Sequence, residues 1–149
     1  LDRKLKPIPI GTWETVREGA GYAILAVGPS MLKLAEETAE LMKSEGIQIR
    51  IVNARFIKPL DEEMLNSLYK EGYHLVTLEE GTALGGFGSA VLEYYAANNI
   101  HDMKVKVIGV PDYFVEHGSQ KEQRQEVGLT PERVATEIKA LMPRKRQRA

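Results

Sequence analysis

The chain has 149 residues and a formal net charge of −1, with 43% hydrophobic and 28% charged residues. These values are typical of one globular domain with a buried core. The absence of cysteine excludes disulfides, thiol catalysis and cysteine-ligated metal sites, and it fits a reducing, cytoplasmic compartment. No apolar run approaches the roughly 20 residues that span a bilayer, and no secretory leader opens the chain.

The residues at the two ends of the chain are predicted to lie outside the folded domain. The sequence does not begin with Met, and residues 1–11 read like the end of a linker, so we expect a piece of a longer protein with its folded domain at 12–143. The tail at 144–149 carries four positive charges, and we expect it to be disordered. Contact of this tail with RNA or an acidic lipid surface is the alternative. The remainder is mildly acidic, so we expect no nucleic acid and no membrane as partners.

The first half of the chain predicts three strands and two helices. Residues 13–16 alternate weakly, which indicates an edge strand with one solvated face. A buried strand follows at 23–27, and Ser30 is expected to cap a helix whose apolar stripe runs from Leu34 to Met42. Gly46 is placed to end that helix. After a strand at 49–54, Asp61 is expected to cap the second helix, and Gly72 to end it.

The second half continues the alternation. A strand at 75–78 precedes a helix at 86–98, and a strand at 105–110 precedes the last helix. Thr130 is the expected N-cap of that helix, with Pro131 at its first position and Pro143 at its end. Alternating strands and helices predict the α/β class, with three layers and a mostly parallel sheet covered by helices on both faces.

The longest connection at the carboxyl edge of this sheet, residues 79–89, is rich in glycine. Ligands of open parallel sheets bind at that edge, which also contains connections 28–30, 55–60 and 111–118. Free N–H groups at the next helix start offer a small-anion site, but the pattern is no nucleotide motif and its leading carboxylates disfavour phosphate. We favour close packing against another protein surface, which a branched side chain at Gly86 would disturb. The candidate contact residues are Glu79, Glu80, Gly85, Gly86, Phe87 and Gly88.

The connection at 111–118 contains Asp112, Glu116 and His117. A metal site or an acid–base pair is one interpretation of these side chains. A structural turn is the favoured one, because the other two histidines, His74 and His101, follow different elements. Asp112 and His117 join the candidate contact residues. No nucleophile, base and orienting group converge, so the residues alone predict an α/β domain with interaction loops.

Several blocks of the sequence match one family. They are residues 9–11, 23–28, 52–61, 79–80 with 85–91, and 108–118, and the most specific are Arg-Phe-Ile-Lys-Pro-Leu-Asp at 55–61 and Glu-His-Gly at 116–118. From about residue 9 to 142 the chain resembles the C-terminal domain of the 1-deoxy-D-xylulose-5-phosphate synthase family, a transketolase C-terminal-like domain. The resemblance implies a five-stranded, mostly parallel sheet whose first strand is an antiparallel edge.

The same resemblance implies a three-domain, homodimeric enzyme that uses thiamine diphosphate and Mg²⁺. That enzyme condenses pyruvate with glyceraldehyde 3-phosphate, releases carbon dioxide and feeds isoprenoid and thiamine biosynthesis. Its cofactor lies between the first two domains, and the C-terminal domain supports the dimer and contacts its own N-terminal and middle domains. The chain has no Gly-Asp-Gly motif for the diphosphate and metal, so Asn98-Asn99 is not the partner of such a motif. The glutamate that activates the cofactor belongs to the middle domain. We therefore expect no catalytic, cofactor-binding or metal-binding residue here.

Two alternatives remain from the sequence. One is the C-terminal domain of a transketolase or of a 2-oxoacid dehydrogenase β-subunit, which shares the architecture. The other is a free-standing nucleotide-binding or adaptor module. A Gly-Asp-Gly stretch followed by Asn-Asn in the upstream coding sequence would indicate a thiamine-diphosphate enzyme and would argue against a free-standing module.

Overall fold

A computed structural model describes residues 7–142 as one mixed sheet between two layers of helices. The strands are β1 (Glu14–Arg17), β2 (Tyr22–Ala26), β3 (Arg50–Asn53), β4 (His74–Thr82) and β5 (Val105–Val110). The helices are α1 (Pro29–Lys43), α2 (Glu62–Lys70), α3 (Phe87–Ala97), α4 (Gln120–Glu126) and α5 (Pro131–Leu141). The strand order is β1-β3-β2-β4-β5, in which β1 is an antiparallel edge and the other neighbours are parallel.

The predicted fold class is confirmed, and the burial of β2 gives its physical reason. Ile24 and Ala26 join the core beneath α1 and α5, whereas Ala23 and Leu25 join the core beneath α2 and α3. A strand that is buried on both faces must be apolar at every position, which is why β2 reads as a continuous apolar run. Helices therefore cover both faces of the sheet.

The helix caps follow the predictions except at α1. Asp61 accepts a hydrogen bond from the Met64 N–H at 2.9 Å, and Thr130 accepts one from the Arg133 N–H at 3.4 Å. Ser30 is wrong as the N-cap of α1, because the helix already begins at Pro29 and Gly28 takes the cap position with a φ of +85°. Proline suits the first helical position because it lacks an N–H that would otherwise need a partner.

Two elements differ from the predicted boundaries. β4 continues through residues 79–82, which the sequence analysis assigned to a loop, because Thr82 pairs with Val110 of β5 beyond an irregularity in the ladder. α4 was not predicted, since it buries no side chain and shows no apolar stripe. Its capping box was the available signal: the Ser119 side chain accepts from the Glu122 N–H, and the Glu122 carboxylate accepts from the Ser119 N–H.

Both ends of the chain extend beyond the part that the structure describes. The first residues of the predicted linker, the helix end at Pro143 and the basic tail at 144–149 lie outside the described residues. None of the helices formed by residues 7–142 has the length and apolar character needed to cross a bilayer.

His74, the first residue of β4, is expected to make the stability of the domain depend on pH. Its ring lies 5.6 Å from that of Tyr22, and burial, followed by the charge of Lys104, lowers the pKa of His74 below 6.5. The unfolded chain therefore binds this proton more readily than the folded chain. The contribution of His74 is complete above the unfolded pKa and is lost as pH falls through 6.5 towards the folded value.

We expect the free energy of unfolding to fall slightly between about pH 7 and pH 5.5 for this reason. Urea unfolding across that range measures the slope, which His74→Gln should flatten. His101→Gln, which changes an exposed histidine, is the matched control. An unchanged slope in His74→Gln would show that other groups cause it.

Candidate interaction surface at the carboxyl edge of the sheet

The carboxyl edge of the sheet gathers the connections that follow β2, β3, β4 and β5. The chain also enters the domain here, because Glu14, the first residue of the antiparallel β1, pairs with Asn53 at the end of β3. Trp13 fixes this entry: its N–H donates to the Asp61 carboxylate at 2.7 Å and its indole N–H donates to the Phe56 carbonyl at 2.8 Å. The incoming segment and the β3–α2 connection therefore form one unit.

Arg55 reinforces the same junction. Its Nε donates to the Thr12 carbonyl at 3.2 Å, and its guanidinium also contacts the Trp13 carbonyl and the Glu14 carboxylate, both at 3.4 Å. This side chain ties the entry segment to the end of β3. It has a structural role and offers no open cationic site for a ligand.

Glu79 occupies the start of α3, where the sequence suggested that a small anion could bind. The residue is 4% exposed, and its carboxylate accepts the N–H groups of Phe87 at 2.8 Å and Gly88 at 2.9 Å. These donors belong to the first turn of α3, where the helix dipole stabilises negative charge. The prediction that Glu79 stands in an open loop and repels phosphate was wrong about its position. Glu79 lies inside the domain and is itself the anion bound at this helix start.

The glycines of the 85–89 segment are explained by packing within the domain. A Cβ on Gly86 would collide with the Thr82 carbonyl and would lie 2.8 Å from Cδ of Glu79. A Cβ on Gly88 would lie 2.6 Å from Oγ1 of Thr77, so α3 packs directly on the sheet. Gly85 has a φ of +74°, a left-handed conformation that glycine adopts without strain.

Three of the candidate contact residues lie in the interior. Phe87 is 1% exposed and packs edge to face on Trp13 at a centroid distance of 5.6 Å. Glu79 and Gly88 are also buried. Their side chains and backbone contact this domain, so these three residues present no surface to another protein. The exposed residues of the segment are 80–82 and 84–85, which include Glu80 and Leu84.

Glu80 links two connections of the edge. Its carboxylate accepts a hydrogen bond from Nε of Arg124 at 3.0 Å, and this ion pair attaches α4 to the end of β4. α4 has no buried side chain. The polar contact with Glu80 therefore helps hold it in place.

The connection at 111–118 is held against α4 by hydrogen bonds. Nε2 of Gln123 donates to the Glu116 carbonyl at 3.2 Å, and the Tyr113 hydroxyl donates to the Glu126 carbonyl at 3.5 Å. Asp112 and His117 are exposed. Within residues 7–142 no group of three or more His, Asp or Glu side chains is arranged to hold a metal ion. These contacts give the connection a structural role, as predicted, through packing on α4.

A cavity of about 420 Å³ lies between α1, α4 and the start of α5. Its cationic side chains include Lys33, 3.9 Å from Glu37, and Arg124, which is paired with Glu80. Lys33 and Arg124 thus have carboxylate neighbours, and no histidine lines the cavity. It contains no pairing of a nucleophile with a base.

The start of α3 offers no free anion site for thiamine diphosphate, the cofactor that the resemblance implies together with Mg²⁺. A bound diphosphate needs free N–H donors or cations and a metal needs grouped oxygen ligands. The N–H donors at the start of α3 are taken by Glu79, and the described part of the chain has no grouped His, Asp or Glu ligands. No chemical step is therefore assigned to this cofactor within the domain.

Comparison with known proteins identifies the family. The family model described as "Transketolase, C-terminal domain" matches residues 11–134. The chain belongs to the transketolase C-terminal domain family. Among curated proteins it is 53% identical over 143 residues to 1-deoxy-D-xylulose-5-phosphate synthase of Brevibacillus brevis, covering 96% of this chain and 23% of that protein. It is 48% identical to the synthase of Shouchella clausii, covering 100% of this chain and 23% of that protein.

Solved structures of this family share the fold. A split-gene transketolase, described as an inactive β4 tetramer, matches with a TM-score of 0.80 and 29% identity, covering 93% of this chain and 44% of that chain. A transketolase of Campylobacter jejuni matches with a TM-score of 0.65 and 16% identity, covering 87% of this chain and 18% of that chain, and this second likeness shows the fold alone.

The comparisons also indicate which members of the transketolase C-terminal domain family this chain resembles more. The resemblance to 1-deoxy-D-xylulose-5-phosphate synthases is confirmed, since the curated relatives of that name reach 53% identity. The matched transketolase structures reach 29%, which makes the transketolase alternative the weaker one. The chain spans about a quarter of the length of its curated relatives, 23% for the synthases of B. brevis and S. clausii.

Proposed function

We propose that this chain is the C-terminal domain of a cytoplasmic 1-deoxy-D-xylulose-5-phosphate synthase. The whole enzyme would condense pyruvate with glyceraldehyde 3-phosphate to 1-deoxy-D-xylulose 5-phosphate and release carbon dioxide. Its product would supply isoprenoid and thiamine biosynthesis. The support is the 53% identity over 143 residues to a relative of that name.

Within that enzyme we assign the domain a structural role. The observation that carries this role is the buried carboxylate of Glu79, which occupies the helix start where an α/β domain would otherwise receive an anionic ligand. Thiamine diphosphate and Mg²⁺ would be held by the N-terminal and middle domains. The C-terminal domain would support a homodimer and pack against those two domains.

The assigned reaction is tested with the full-length protein. Carbon dioxide released from pyruvate is measured with and without glyceraldehyde 3-phosphate, and the sugar phosphate formed is identified by mass spectrometry. We expect 1-deoxy-D-xylulose 5-phosphate only when both substrates are present. A protein that is folded and loaded with cofactor but forms no such product would favour the transketolase or dehydrogenase-subunit alternative.

We predict that residues 1–149 fold alone and bind no thiamine diphosphate, because both cores are complete within the described residues and the anion site is filled from within. Cooperative urea unfolding tests the first part. Calorimetric titration with thiamine diphosphate and Mg²⁺ tests the second, with the full-length protein as the positive control. Saturable binding to residues 1–149 would contradict the assigned role.

We predict that deletion of this domain weakens the homodimer. The dimer dissociation constant of the remaining protein should rise by at least about tenfold, equivalent to about 1.4 kcal/mol of lost interface energy. The isolated domain should be monomeric or weakly dimeric, because a partial interface buries too little surface to offset the entropy of association. Sedimentation of the protein with and without residues 1–149 measures both constants. An unchanged constant after deletion would refute the dimer-supporting role.

A further inference from the structure

The large exposed apolar side chains of this domain are concentrated at one edge. Among residues 7–142, only two of them, Val16 on β1 and Leu92 on α3, lie elsewhere. Leu84 is 67% exposed, and Phe114 is fully exposed. Exposed apolar groups gathered in this way mark a protein contact surface rather than the scattered apolar residues of an ordinary surface. The apolar edge consists of Ile8, Ile10, Ile57, Leu84, Tyr113 and Phe114.

The topology brings these six side chains to the same edge. Ile57, Leu84 and the Tyr113–Phe114 pair follow the parallel strands β3, β4 and β5 respectively. The Ala83 N–H donates to the Val110 carbonyl at 2.9 Å, which places the connections after β4 and β5 side by side. Ile8 and Ile10 precede Gly11, which lies against the β3–α2 connection, since a Cβ on Gly11 would lie 3.0 Å from Cγ of Pro59.

The connections that display the apolar edge are anchored. Glu79 holds the start of α3, Arg55 holds the entry segment, and the Glu80–Arg124 ion pair holds α4 beside β4. An anchored surface loses little conformational entropy when a partner covers it. The apolar edge is therefore preorganised, which suits binding to one defined partner.

The position of the chain entry identifies that partner. The chain enters the domain at the apolar edge, where Trp13 donates to the β3–α2 connection and Arg55 donates to the Thr12 carbonyl. The curated relatives are about four times as long as this chain, and the family model is that of a C-terminal domain. A domain that precedes this one in the same polypeptide connects through that entry segment, and the covalent link raises its effective concentration at this edge. We propose that the apolar edge is the docking surface for the domain that immediately precedes this one in the same polypeptide, an inference that rests on the proposed function.

The experiment uses the full-length protein and single cysteines, since this chain contains none of its own. Leu84→Cys and Phe114→Cys report on the apolar edge, and Leu92→Cys and Val16→Cys are controls on exposed residues elsewhere. Maleimide labelling of each introduced cysteine is followed by peptide mass spectrometry and normalised to the rate in urea. We expect labelling at positions 84 and 114 to be at least about tenfold slower than at the controls, and to remain so when the protein is diluted to single chains.

Equal labelling rates at the edge and at the controls would overturn the proposal. Protection that disappears on dilution to single chains would also overturn it, and would assign the edge to a second copy of the protein. The synthase assay of the unmodified full-length protein is read separately. A missing activity would refute the proposed reaction, whereas the labelling pattern would still decide where the preceding domain docks.

Discussion

Replacement of Glu79 by alanine is expected to lower the free energy of unfolding of this domain by about 4 kcal/mol. The change removes the carboxylate that accepts the N–H groups of Phe87 and Gly88. Two donors would then be left without partners, at about 1–3 kcal/mol each, and a cavity would open beside α3. Urea unfolding of residues 1–149, followed by circular dichroism, measures the loss.

Two matched variants separate the causes of this loss. Glu79→Gln keeps the volume but removes the charge and one acceptor oxygen, so we expect a loss of about 2 kcal/mol. Glu80→Ala removes the neighbouring exposed carboxylate and its ion pair with Arg124, and we expect a loss below about 1 kcal/mol. Equal stability of Glu79→Ala and Glu80→Ala would show that Glu79 does not anchor α3.

Gly86→Val is expected to destabilise the domain itself by about 3 kcal/mol, at the upper end of the usual cost of overpacking. The sequence alone suggested that a branched side chain here would disturb contacts with another protein. The structure shows instead that the first added carbon would already collide with the Thr82 carbonyl and the Glu79 carboxylate. Both groups are fixed by β4 and by α3, so neither moves away cheaply.

The measurement is urea unfolding of Gly86→Val and Gly86→Ala as residues 1–149. Gly118→Ala is the control, because its Cβ would lie 3.4 Å from the Glu122 carboxylate and in ordinary contact with it. We expect Gly118→Ala to change the free energy of unfolding by less than about 0.5 kcal/mol. A Gly86→Val domain of unchanged stability that weakens assembly of the full-length protein would restore the interface explanation.

Local signals in the sequence predicted most of the architecture. Apolar runs located the three inner strands and β5, while Asp61, Thr130 and Gly46 marked helix ends through side-chain and backbone chemistry that operates within a few residues. The weak alternation at 13–16 indicated β1 as an edge. These features depend on nearest neighbours along the chain, so a single sequence contains them.

The misplaced end of β4 and the missed helix α4 both involve contacts between distant residues. β4 extends to Thr82 because β5 offers Val110 as a partner, and nothing local in the glycine-rich segment reveals that pairing. α4 has no apolar stripe and is held by Arg124 on Glu80, 44 residues away. A polar segment of this kind resembles a loop unless its capping box is recognised.

The candidate contact residues also show which features the sequence determines and which depend on the tertiary structure. The sequence by itself determined the α/β class and the carboxyl edge as the place to look, because alternating strands and helices predict parallel strands whose carboxyl ends share one edge. The family resemblance came from matched blocks of residues such as 55–61 and 116–118. Only the tertiary structure decided that Glu79 and Phe87 face inward and that Leu84 and Phe114 face outward. The sequence alone predicts that a glutamate is exposed to solvent. At this position two N–H groups at the start of α3 stabilise the carboxylate inside the fold. Burial depends on which groups the fold places opposite a side chain, and that information lies in residues far along the chain.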